Sequence, residues 1–368
     1  MAIRMGLFNF TKALKRGIVL ITNAFNEWHK GNSMNDLRIF GLGSSQGYAD
    51  NVCNALGIRR SAHKEDFQDD DEPYVLSQEN VRGCDVFIIS SLYSCERERL
   101  SDRFLKLLFF ARSLRDASAR RITLVMPYFA FQRQDRKTES RAPVYTKYIP
   151  EIVEGLLRPD DRILTMDAHN LSAYQSGFRL NQDHLEAKPL VAEWFRHSVS
   201  RLWPDVDLDN LCFASPDEGG VKRIGFYRKK IQSLMGISIG TASVYKTHEG
   251  REIEAHGVMG DVKDKDVFIG DDMISSGTTL VKAYEALTAE GGRVRAAIAT
   301  HGLFVGKANE RIGYLLEKGV KVVITDTIQT NKLDAKLKSQ LVVIPTHTLF
   351  AEAIRCIHNE ESISRLIS

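Results

Sequence analysis

The stretch that decides the fold is Val267-Phe-Ile-Gly-Asp-Asp-Met-Ile-Ser-Ser-Gly-Thr-Thr-Leu280. Its apolar start predicts a buried strand, and apolar residues at helical spacing from Leu280 onward predict a helix. Between them stand two carboxylates, Asp271 and Asp272, in an acidic turn, and then a loop rich in hydroxyl groups. In an α/β protein such a loop lies at the carboxyl edge of the sheet, where ligands bind. The stretch therefore predicts an α/β fold with a ligand site at this loop.

The loop has the chemistry of an anion site. Free N–H groups at the start of a helix and the positive end of its dipole attract anions. Gly277 allows the backbone to close on a phosphate, and the neighbouring hydroxyls add donors. The loop residues are Ser275, Ser276, Gly277, Thr278 and Thr279. Because the two carboxylates are acceptors suited to a vicinal diol, the combination predicts a site for the phosphate end of ribose 5-phosphate. The alternative is a solvated turn followed by an ordinary helix cap.

Length and composition set the class of protein. The 368 residues suggest two domains, and 43% hydrophobic with 26% charged residues is typical of a soluble globular protein. The net charge of +3 is too small to indicate a nucleic-acid or membrane partner. Five scattered cysteines without a Cys-x-x-Cys pair predict free thiols in a reducing cytoplasm. No apolar run reaches the length of a membrane span.

Residues 1–33 differ in composition from the rest of the chain. They contain several Lys and Arg residues, and the first acidic residue is Glu27. A secretory signal is disfavoured because the apolar run is short and no clean cleavage site follows it. An organelle-targeting peptide is one alternative. The favoured interpretations are an accessory helix or an extension upstream of a true start at Met34.

From Leu37 onward, apolar strands alternate with amphipathic helices, which predicts parallel sheets. Three polar segments interrupt this rhythm. We interpret residues 63–72 as a polar connection, residues 181–188 as the domain break, and residues 241–260 as a mobile loop.

Other functional residues cluster where predicted strands end. The segment 127–137 sets aromatic rings beside cations, which suits a nucleotide or, alternatively, a solvated loop with a core anchor. Asp167 and His169 could hold a divalent metal, orient a phosphate or form a structural hydrogen bond. Asp217 precedes two glycines that permit close backbone approach, with Lys222-Arg223 following. The predicted mobile loop carries three cationic candidates, namely Lys246, His248 and Arg251.

Taken in order, these stretches resemble those of the ribose-phosphate diphosphokinase (phosphoribosyl diphosphate synthetase) family. The resemblance covers roughly residues 37–366. It rests on segments at 127–129, 133–135, 140–143, 166–169, 215–220, 260–264, 271–273 and 300–304. The resemblance implies two similar phosphoribosyltransferase-type domains, each a largely parallel sheet flanked by helices. The expected division is an extension at 1–36, an ATP-side domain at 37–183 rejoined by a C-terminal helix at 349–368, and a ribose 5-phosphate-side domain at 184–348.

The resemblance also implies the reaction, which is transfer of the diphosphoryl group of ATP to the C1 hydroxyl of ribose 5-phosphate. It implies Mg²⁺ as cofactor, with His169 and Asp217 as metal ligands. The implied ATP-binding residues are Phe67, Glu72, Arg133, Gln134 and His169. The implied ribose 5-phosphate residues are Asp217, Asp271, Asp272, Ser275, Ser276, Gly277, Thr278 and Thr279. Lys246 would be the catalytic cation, with His248 or Arg251 in support. Cytoplasmic location, self-association as a dimer or hexamer, and a phosphate or ADP effector complete the expectations.

The chain departs from the family's pattern at three places. Ser275 stands where the binding loop usually has a third Asp, and His248 stands where the mobile loop usually has Arg. The acidic run around Glu72 is one residue longer. Two alternatives to the synthetase follow, namely a non-catalytic regulatory homologue of the same fold and a phosphoribosyltransferase.

Overall fold

The computed structural model describes residues 36–96, 98–249, 253–329 and 332–367, with only the backbone described for 246–249 and 253–256. The chain separates into a compact unit, Arg38–Ser368, and a preceding unit, Met1–Leu37, of which only the last two residues are described. The predictions for residues 1–33 therefore fall outside the described residues.

Short strands form the first sheet. β4 is buried along its whole length and β5 is buried except at its first residue, as is typical of central strands in a parallel sheet. The strand order is β1-β4-β5-β6-β7, and β4 through β7 are parallel. The elements of this part of the chain are β1 (Leu37–Gly41), α1 (Gln46–Leu56), β2 (His63–Phe67), β3 (Pro73–Ser77), β4 (Asp85–Ile89), α2 (Leu100–Asp116), β5 (Arg121–Met126), α3 (Tyr145–Glu154), β6 (Arg162–Met166), α4 (Leu171–Gly177) and β7 (Asn181–Leu185).

The second sheet has the order β10-β9-β8-β11-β12-β13-β14. Its strands are parallel except for the antiparallel pair β9–β10. The elements are α5 (Lys188–Leu202), β8 (Leu211–Ser215), α6 (Val221–Met235), β9 (Ile239–Glu249), β10 (Ile253–Met259), β11 (Asp266–Ile274), α7 (Thr278–Ala289), β12 (Arg293–Gly302), α8 (Ala308–Glu317), β13 (Lys321–Thr325), α9 (Ala335–Lys338), β14 (Val342–Ile344) and α10 (His347–His358).

These two largely parallel sheets flanked by helices confirm the predicted α/β class. The carboxyl ends of their strands face each other. Thr300, on β12, donates a hydrogen bond to Asp167 at the end of β6, with Oγ1 2.5 Å from Oδ2. The buried ring of His301 packs against Tyr128, which follows β5, with centroids 4.9 Å apart. The loops that carry the predicted site residues therefore meet between the two sheets.

Two of the predicted loops are wrong. Residues 63–67 of the predicted polar connection form β2, which pairs antiparallel with β3 in a two-stranded ribbon. The predicted mobile loop at 241–260 is a β-hairpin over its described parts, in which β9 and β10 pair from Ser243 opposite Met259 to Glu249 opposite Ile253. Residues 63–67 are mostly polar and residues 241–260 mix polar with apolar residues, so hydrophobic pattern alone does not reveal how either segment pairs.

The polar segment 181–188, interpreted as the domain break, contains β7, and β7 pairs with β6 as a strand of the first sheet. The C-terminal helix α10 packs beside the same sheet. Tyr48 and Thr346 share a hydrogen bond of 2.8 Å between their hydroxyl oxygens, and the His358 ring contacts the Asp85 carboxylate at 2.9 Å. The proposed domain division remains a prediction, and these contacts support a return of the C-terminal helix to the first half. Within the described residues, no helix is long and apolar enough to cross a membrane.

A buried ion cluster fixes the β2–β3 ribbon to α2, and its removal should lower stability. Glu65 accepts hydrogen bonds from the Gly43 N–H at 2.8 Å and from Lys106 Nζ at 2.6 Å. Burial acts to raise the pKa of Glu65, but hydrogen bonds from His63 and Lys106 outweigh it and lower the pKa from 4.5 to about 2. We expect Glu65→Gln to lower the free energy of unfolding by about 2–3 kcal/mol at pH 7.

The pH dependence follows from the direction of this shift. The folded pKa of Glu65 lies below the unfolded value, so the stabilisation is present above about pH 4.5 and is lost as the pH falls toward 2. We expect chemical denaturation at pH 3 to give a difference in the free energy of unfolding between wild type and Glu65→Gln that is about half the difference at pH 7. Asp66→Asn, on an exposed side chain of the same strand, is the control and should leave stability unchanged. If the two proteins differed in free energy of unfolding by the same amount at pH 7 and pH 3, the lowered pKa of Glu65 would be contradicted.

Candidate functional site

The acidic pair lies on a strand and not in a turn, which corrects the sequence-based prediction. β11 continues through Ile274 because β12 pairs with it as far as Ile274 opposite Gly302. On its other side, β8 pairs with β11 only as far as Ile269. Asp271 and Asp272 therefore stand where β11 extends beyond β8. This is the carboxyl edge at which parallel sheets bind ligands.

The hydroxyl-rich loop after β11 turns directly into α7. Gly277 has a φ of +78° at the cap of α7, and a Cβ there would lie 3.2 Å from the Arg311 Cβ, so glycine suits this position. Arg311 Nη1 donates to the Ser276 carbonyl at 3.1 Å and fixes the loop from α8. Thr278 and Thr279 occupy the first turn of α7, whose N–H groups have no partner within the helix. This geometry is that of an anion-binding helix start.

A cavity of about 420 Å³ opens beside this helix start. Thr278 and Thr279 line one side of it, and Asp217 lines another. The Asp217 carboxylate accepts a hydrogen bond from the Gly220 N–H at 3.1 Å, which caps the turn before α6. Three of the predicted ribose 5-phosphate residues are thus brought around one small-molecule-sized space.

The segment after β6 reaches the acidic pair. His169 Nδ1 lies 2.6 Å from Asp272 Oδ2, and the His169 N–H donates to Gln132 Oε1 at 2.9 Å. The Asp272 hydrogen bond raises the pKa of His169, and burial opposes this only in part. The contact joins two residues 103 positions apart in the sequence, one predicted for ATP and the other for ribose 5-phosphate.

Arg223, for which the sequence predicted no role, completes the charged cluster. From the first turn of α6, its Nη1 lies 3.3 Å from Asp271 Oδ1 and its Nη2 lies 3.6 Å from Asp272 Oδ1. Burial would lower the pKa of Arg223, but the charges of the two carboxylates outweigh it and raise the pKa. The sequence alone shows a cation at this position, two residues after Val221 and close to a strand-to-helix turn. Nothing local indicated its partners.

The surroundings shift the pKa values of the two adjacent carboxyl groups in opposite directions. Burial and the charge of Asp272 raise the pKa of Asp271 well above its ordinary value. Burial acts in the same direction on Asp272, but the His169 hydrogen bond and the Arg223 charge outweigh it and lower the pKa. The pKa of Asp271 is therefore raised and that of Asp272 lowered, so Asp272 is the more acidic member of the pair.

Arg133 connects the segment after β5 to the binding loop. Its Nη1 donates to Ser275 Oγ at 3.4 Å, so the residue that departs from the family's pattern contacts a residue predicted for ATP. Gln134 lies beside it, and its carbonyl accepts from the Thr146 N–H at 3.5 Å. Asn170 further orders the segment after β5, because its side-chain amide donates to Asp135 Oδ2 at 2.7 Å.

The structure places the remaining predicted residues elsewhere or leaves them outside its description. Phe67 is 41% exposed on the β2–β3 ribbon, with Lys106 Nζ 5.8 Å from its ring centroid. Glu72 closes the same ribbon, where its carbonyl accepts from the Gln68 N–H at 2.9 Å. In the described ranges we find no hydrogen bond, ion pair or ring contact from either residue to Arg133 or His169, so their roles stay predictions.

Two of the three predicted catalytic cations lie on a strand of the β9–β10 hairpin. Lys246 and His248 lie on β9, opposite His256 and Glu254 on β10. Their side chains, and Arg251 altogether, fall outside the described residues. Their roles therefore remain predictions.

Comparison with known proteins gives a consistent result. Residues 37–156 match the family model for the N-terminal domain of ribose phosphate pyrophosphokinase, and residues 237–368 match that for the phosphoribosyl synthetase-associated domain. The chain is 33% identical over 332 residues to a ribose-phosphate pyrophosphokinase of Hyphomonas neptunium, a match that covers 90% of this chain and 99% of that protein. It is 31% identical over 344 residues to ribose-phosphate pyrophosphokinase 4 of Saccharomyces cerevisiae, with 93% and 98% covered.

A solved structure agrees with these matches. The crystal structure of phosphoribosylpyrophosphate synthetase from Mycobacterium smegmatis superposes with a TM-score of 0.74 at 27% identity, and the match covers 89% of this chain and all of that one. The sequence matches and the structural match therefore agree, and this chain belongs to the ribose-phosphate pyrophosphokinase family.

Proposed function

We propose that this protein transfers the β,γ-diphosphoryl group of ATP to the C1 hydroxyl of ribose 5-phosphate, giving phosphoribosyl diphosphate and AMP. The observation that carries this proposal is the 2.6 Å contact between His169 and Asp272. It joins the segment assigned to ATP phosphates to the strand end assigned to the sugar. A transferase needs its two substrates next to each other, and this contact supports such an arrangement.

On the sugar side, the loop at the start of α7 would hold the 5-phosphate through its N–H groups and hydroxyls. The residues assigned to it are Ser275, Ser276, Gly277, Thr278 and Thr279. Asp271, Asp272 and Asp217 would contact the ribose hydroxyls. Carboxyl oxygens of this pair are hydrogen-bond acceptors suited to the hydroxyls of a diol.

On the nucleotide side, Arg133, Gln134 and His169 would contact the nucleotide and its phosphates, while Phe67 and Glu72 would contact adenine. Lys246 would stabilise the transferring group, with His248 or Arg251 in support. Cations positioned around the transferring phosphorus supply most of the rate in reactions of this type. Closure of the β9–β10 hairpin over the cavity would exclude water, which competes with the C1 hydroxyl.

Mg²⁺ fits the donors present. It prefers oxygen ligands and usually binds through one or two carboxylates together with substrate phosphates. The Asp217 carboxylate lies at the cavity, and the hydrogen bond at Nδ1 leaves the second ring nitrogen of His169 on the far side of the ring. Among the described residues, no group of three or more His, Cys, Asp or Glu side chains forms a metal cage. His169 and Asp217 would hold Mg²⁺ together with substrate phosphates, and the ion would supply neutralisation of phosphate charge.

The reaction balances without a covalent intermediate. The C1 hydroxyl oxygen attacks the β-phosphorus, the bond from that phosphorus to the α–β bridging oxygen breaks, and AMP leaves. One proton, from the hydroxyl, is released. Asp272 and Arg223 would hold the sugar so that this oxygen and the leaving oxygen lie in line.

The proposal is tested by incubating purified protein with ATP, Mg²⁺ and ribose 5-phosphate and measuring AMP. We expect AMP only when all three are present. The departures at Ser275 and His248 favour a non-catalytic regulatory homologue as the second candidate, and absence of AMP at high protein concentration would support it. A phosphoribosyltransferase would instead consume phosphoribosyl diphosphate and a base and release diphosphate.

Ser275 provides a sharper test of how the two substrate segments interact. A carboxylate at this position would form an ion pair with Arg133 and compete with the ATP phosphates. We expect Ser275→Asp to raise the KM for ATP by about two- to fivefold, the range of an exposed ion pair. Ser275→Asn is the neutral control and should leave it unchanged. If both variants had the wild-type KM for ATP, the contact between Arg133 and Ser275 would have no role in ATP binding.

We further propose a cytoplasmic enzyme that self-associates as a dimer or hexamer, with phosphate or ADP as effectors. These properties rest on the resemblance to the family. Light scattering of the purified protein measures the association state. Titration of the AMP-forming activity with ADP measures the regulation.

A further inference from the structure

His301 is a buried histidine at the edge where the two sheets meet. It lies on β12, and only 1% of its surface is exposed. Its pairing partner on β11 is Met273, the residue that follows the acidic pair. Its ring packs edge-on against the ring of Tyr128, whose segment continues to Arg133. His301 therefore stands between the strand of the acidic pair and a segment assigned to ATP.

The hydrogen bonds of the His301 ring define which nitrogen carries the proton. Nε2 lies 3.2 Å from the Met166 carbonyl oxygen and 3.4 Å from the Asp167 carbonyl oxygen, and a carbonyl oxygen only accepts. Nε2 is therefore the donor. Burial lowers the pKa of His301 despite the charge of Asp167, which favours the neutral ring. Nδ1 then accepts from the Thr327 hydroxyl at 2.9 Å, so the ring joins the end of β6 to the segment after β13.

The backbone that receives this N–H group is strained. Asp167 has a φ of +41°, in the left-handed region that residues with a side chain rarely adopt. The two carbonyl groups bonded to His301 lie on either side of the Asp167 Cα, so one donor holds both. The Asp167 carboxylate is held as well, because the Thr300 hydroxyl donates to it. Strain of this kind persists only where neighbouring groups hold it, and it is concentrated at functional sites.

The turn at Asp167 determines where His169 lies. His169 follows two residues later, and its Nδ1 lies 2.6 Å from Asp272 Oδ2 on the other sheet. Asp272 directly precedes Met273, the residue that pairs with His301. His301 therefore bonds to the turn that carries His169 and pairs with the strand that carries Asp272.

We propose that His301 is a positioning residue for the transfer reaction, because its Nε2–H group holds the Asp167 turn in the conformation that brings His169 to Asp272. This inference rests on the proposed function, in which that contact joins the segment assigned to ATP to β11. Without the donor, the turn relaxes, His169 leaves Asp272 and the two substrates lose their alignment. Binding of ribose 5-phosphate alone is unaffected, since Arg311 of α8 holds the phosphate loop.

Two amide substitutions of His301 separate the roles of its two ring nitrogens. A glutamine amide reaches the position of Nε2, whereas an asparagine amide reaches only the position of Nδ1. We expect His301→Asn to lower kcat for AMP formation by about 10–100-fold through misalignment of the reacting groups. The dissociation constant for ribose 5-phosphate, measured by calorimetry, should change by less than about twofold. His301→Gln restores a donor to the two carbonyl groups and should keep kcat within about threefold of wild type.

The position of His169 gives a readout that does not depend on activity. In protein labelled with ¹⁵N-histidine, the His169 ring signals are identified by their absence from His169→Gln. We expect these signals to shift in His301→Asn and to keep their wild-type positions in His301→Gln. If His301→Asn does not fold in thermal denaturation, Thr327→Val removes the donor to Nδ1 while keeping the ring, and it should shift the same signals by a smaller amount.

His358→Gln is the matched control. It removes another buried histidine, whose partner Asp85 lies at the amino end of β4 and therefore at the opposite edge of the first sheet. This variant should lower thermal stability, because a buried carboxylate loses a partner. It should leave kcat and the His169 signals unchanged, which separates a loss of stability from a loss of positioning.

Two results would overturn the inference while leaving the proposed function intact. One is that His301→Asn and His301→Gln have the same kcat and the same His169 signals, so that the Nε2 donor has no particular role. The other is a parallel loss of ribose 5-phosphate affinity in His301→Asn, which would mean that His301 supports the whole edge of the sheet. If wild-type protein forms no AMP, the proposed function is wrong, and the His169 signals alone decide whether His301 positions this turn.

Discussion

Replacing Lys246 with alanine should lower turnover by about 10²–10³-fold, with little change in ribose 5-phosphate affinity. The reason is that a cation aimed at the transferring group stabilises charge that develops only in the transition state. Lys246 directly follows Tyr245, which lines the cavity beside Thr278. The residue is thus carried by the strand that borders the site.

The measurement is kcat at saturating ATP and ribose 5-phosphate, together with the dissociation constant for ribose 5-phosphate from calorimetry. Lys263→Ala, on the connection before β11, is a control that removes a lysine from the same half of the chain. A turnover of Lys246→Ala equal to wild type would remove Lys246 from the mechanism. A loss confined to ribose 5-phosphate affinity would make it a binding residue.

The second large effect is expected at the acidic pair, where Asp272→Asn should lower turnover by two or more orders of magnitude and Asp271→Asn should have a much smaller effect. Asp272 has a lowered pKa and contacts both His169 and Arg223. Asparagine removes its charge, and the loss of a buried charge from a paired cluster is costly. Burial and the charge of Asp272 raise the pKa of Asp271 and so favour its neutral form, which asparagine resembles.

The same variant predicts a change in the titration of His169. The Asp272 hydrogen bond is the main cause of the raised pKa of His169, so this pKa should fall in Asp272→Asn. In wild type, the imidazolium persists to higher pH than in the variant. NMR titration of the His169 ring protons measures both values. An unchanged pKa, or equal losses of turnover in Asp271→Asn and Asp272→Asn, would contradict the division of roles between the two carboxyl groups.

The sequence predicted those parts of the fold that depend on local pattern. Apolar strands such as Val86–Ile89 and the helix after Gly277 were confirmed, because burial on both faces or on one helix face leaves a periodic signature. The β9–β10 hairpin was not predicted. Its polar residues pair through the backbone, and the pairing partner is set by the chain returning on itself.

The site was predicted in its composition but not in its geometry. The extension of β11 through Asp272 depends on the length of β12, which pairs beyond the point where β8 stops. The contacts of Arg223 depend on neighbours that local pattern does not reveal. Arg223 meets a carboxylate 48 residues away. Such partners are decided by the tertiary fold.

The most direct test of the central claim, diphosphoryl transfer, is to identify both products by ³¹P NMR after reaction of ATP, Mg²⁺ and ribose 5-phosphate with the purified protein. The predicted result is AMP and phosphoribosyl diphosphate in equal amounts, with no AMP when ribose 5-phosphate is omitted. Formation of ADP with a singly phosphorylated sugar product, or of AMP without phosphoribosyl diphosphate, would contradict it.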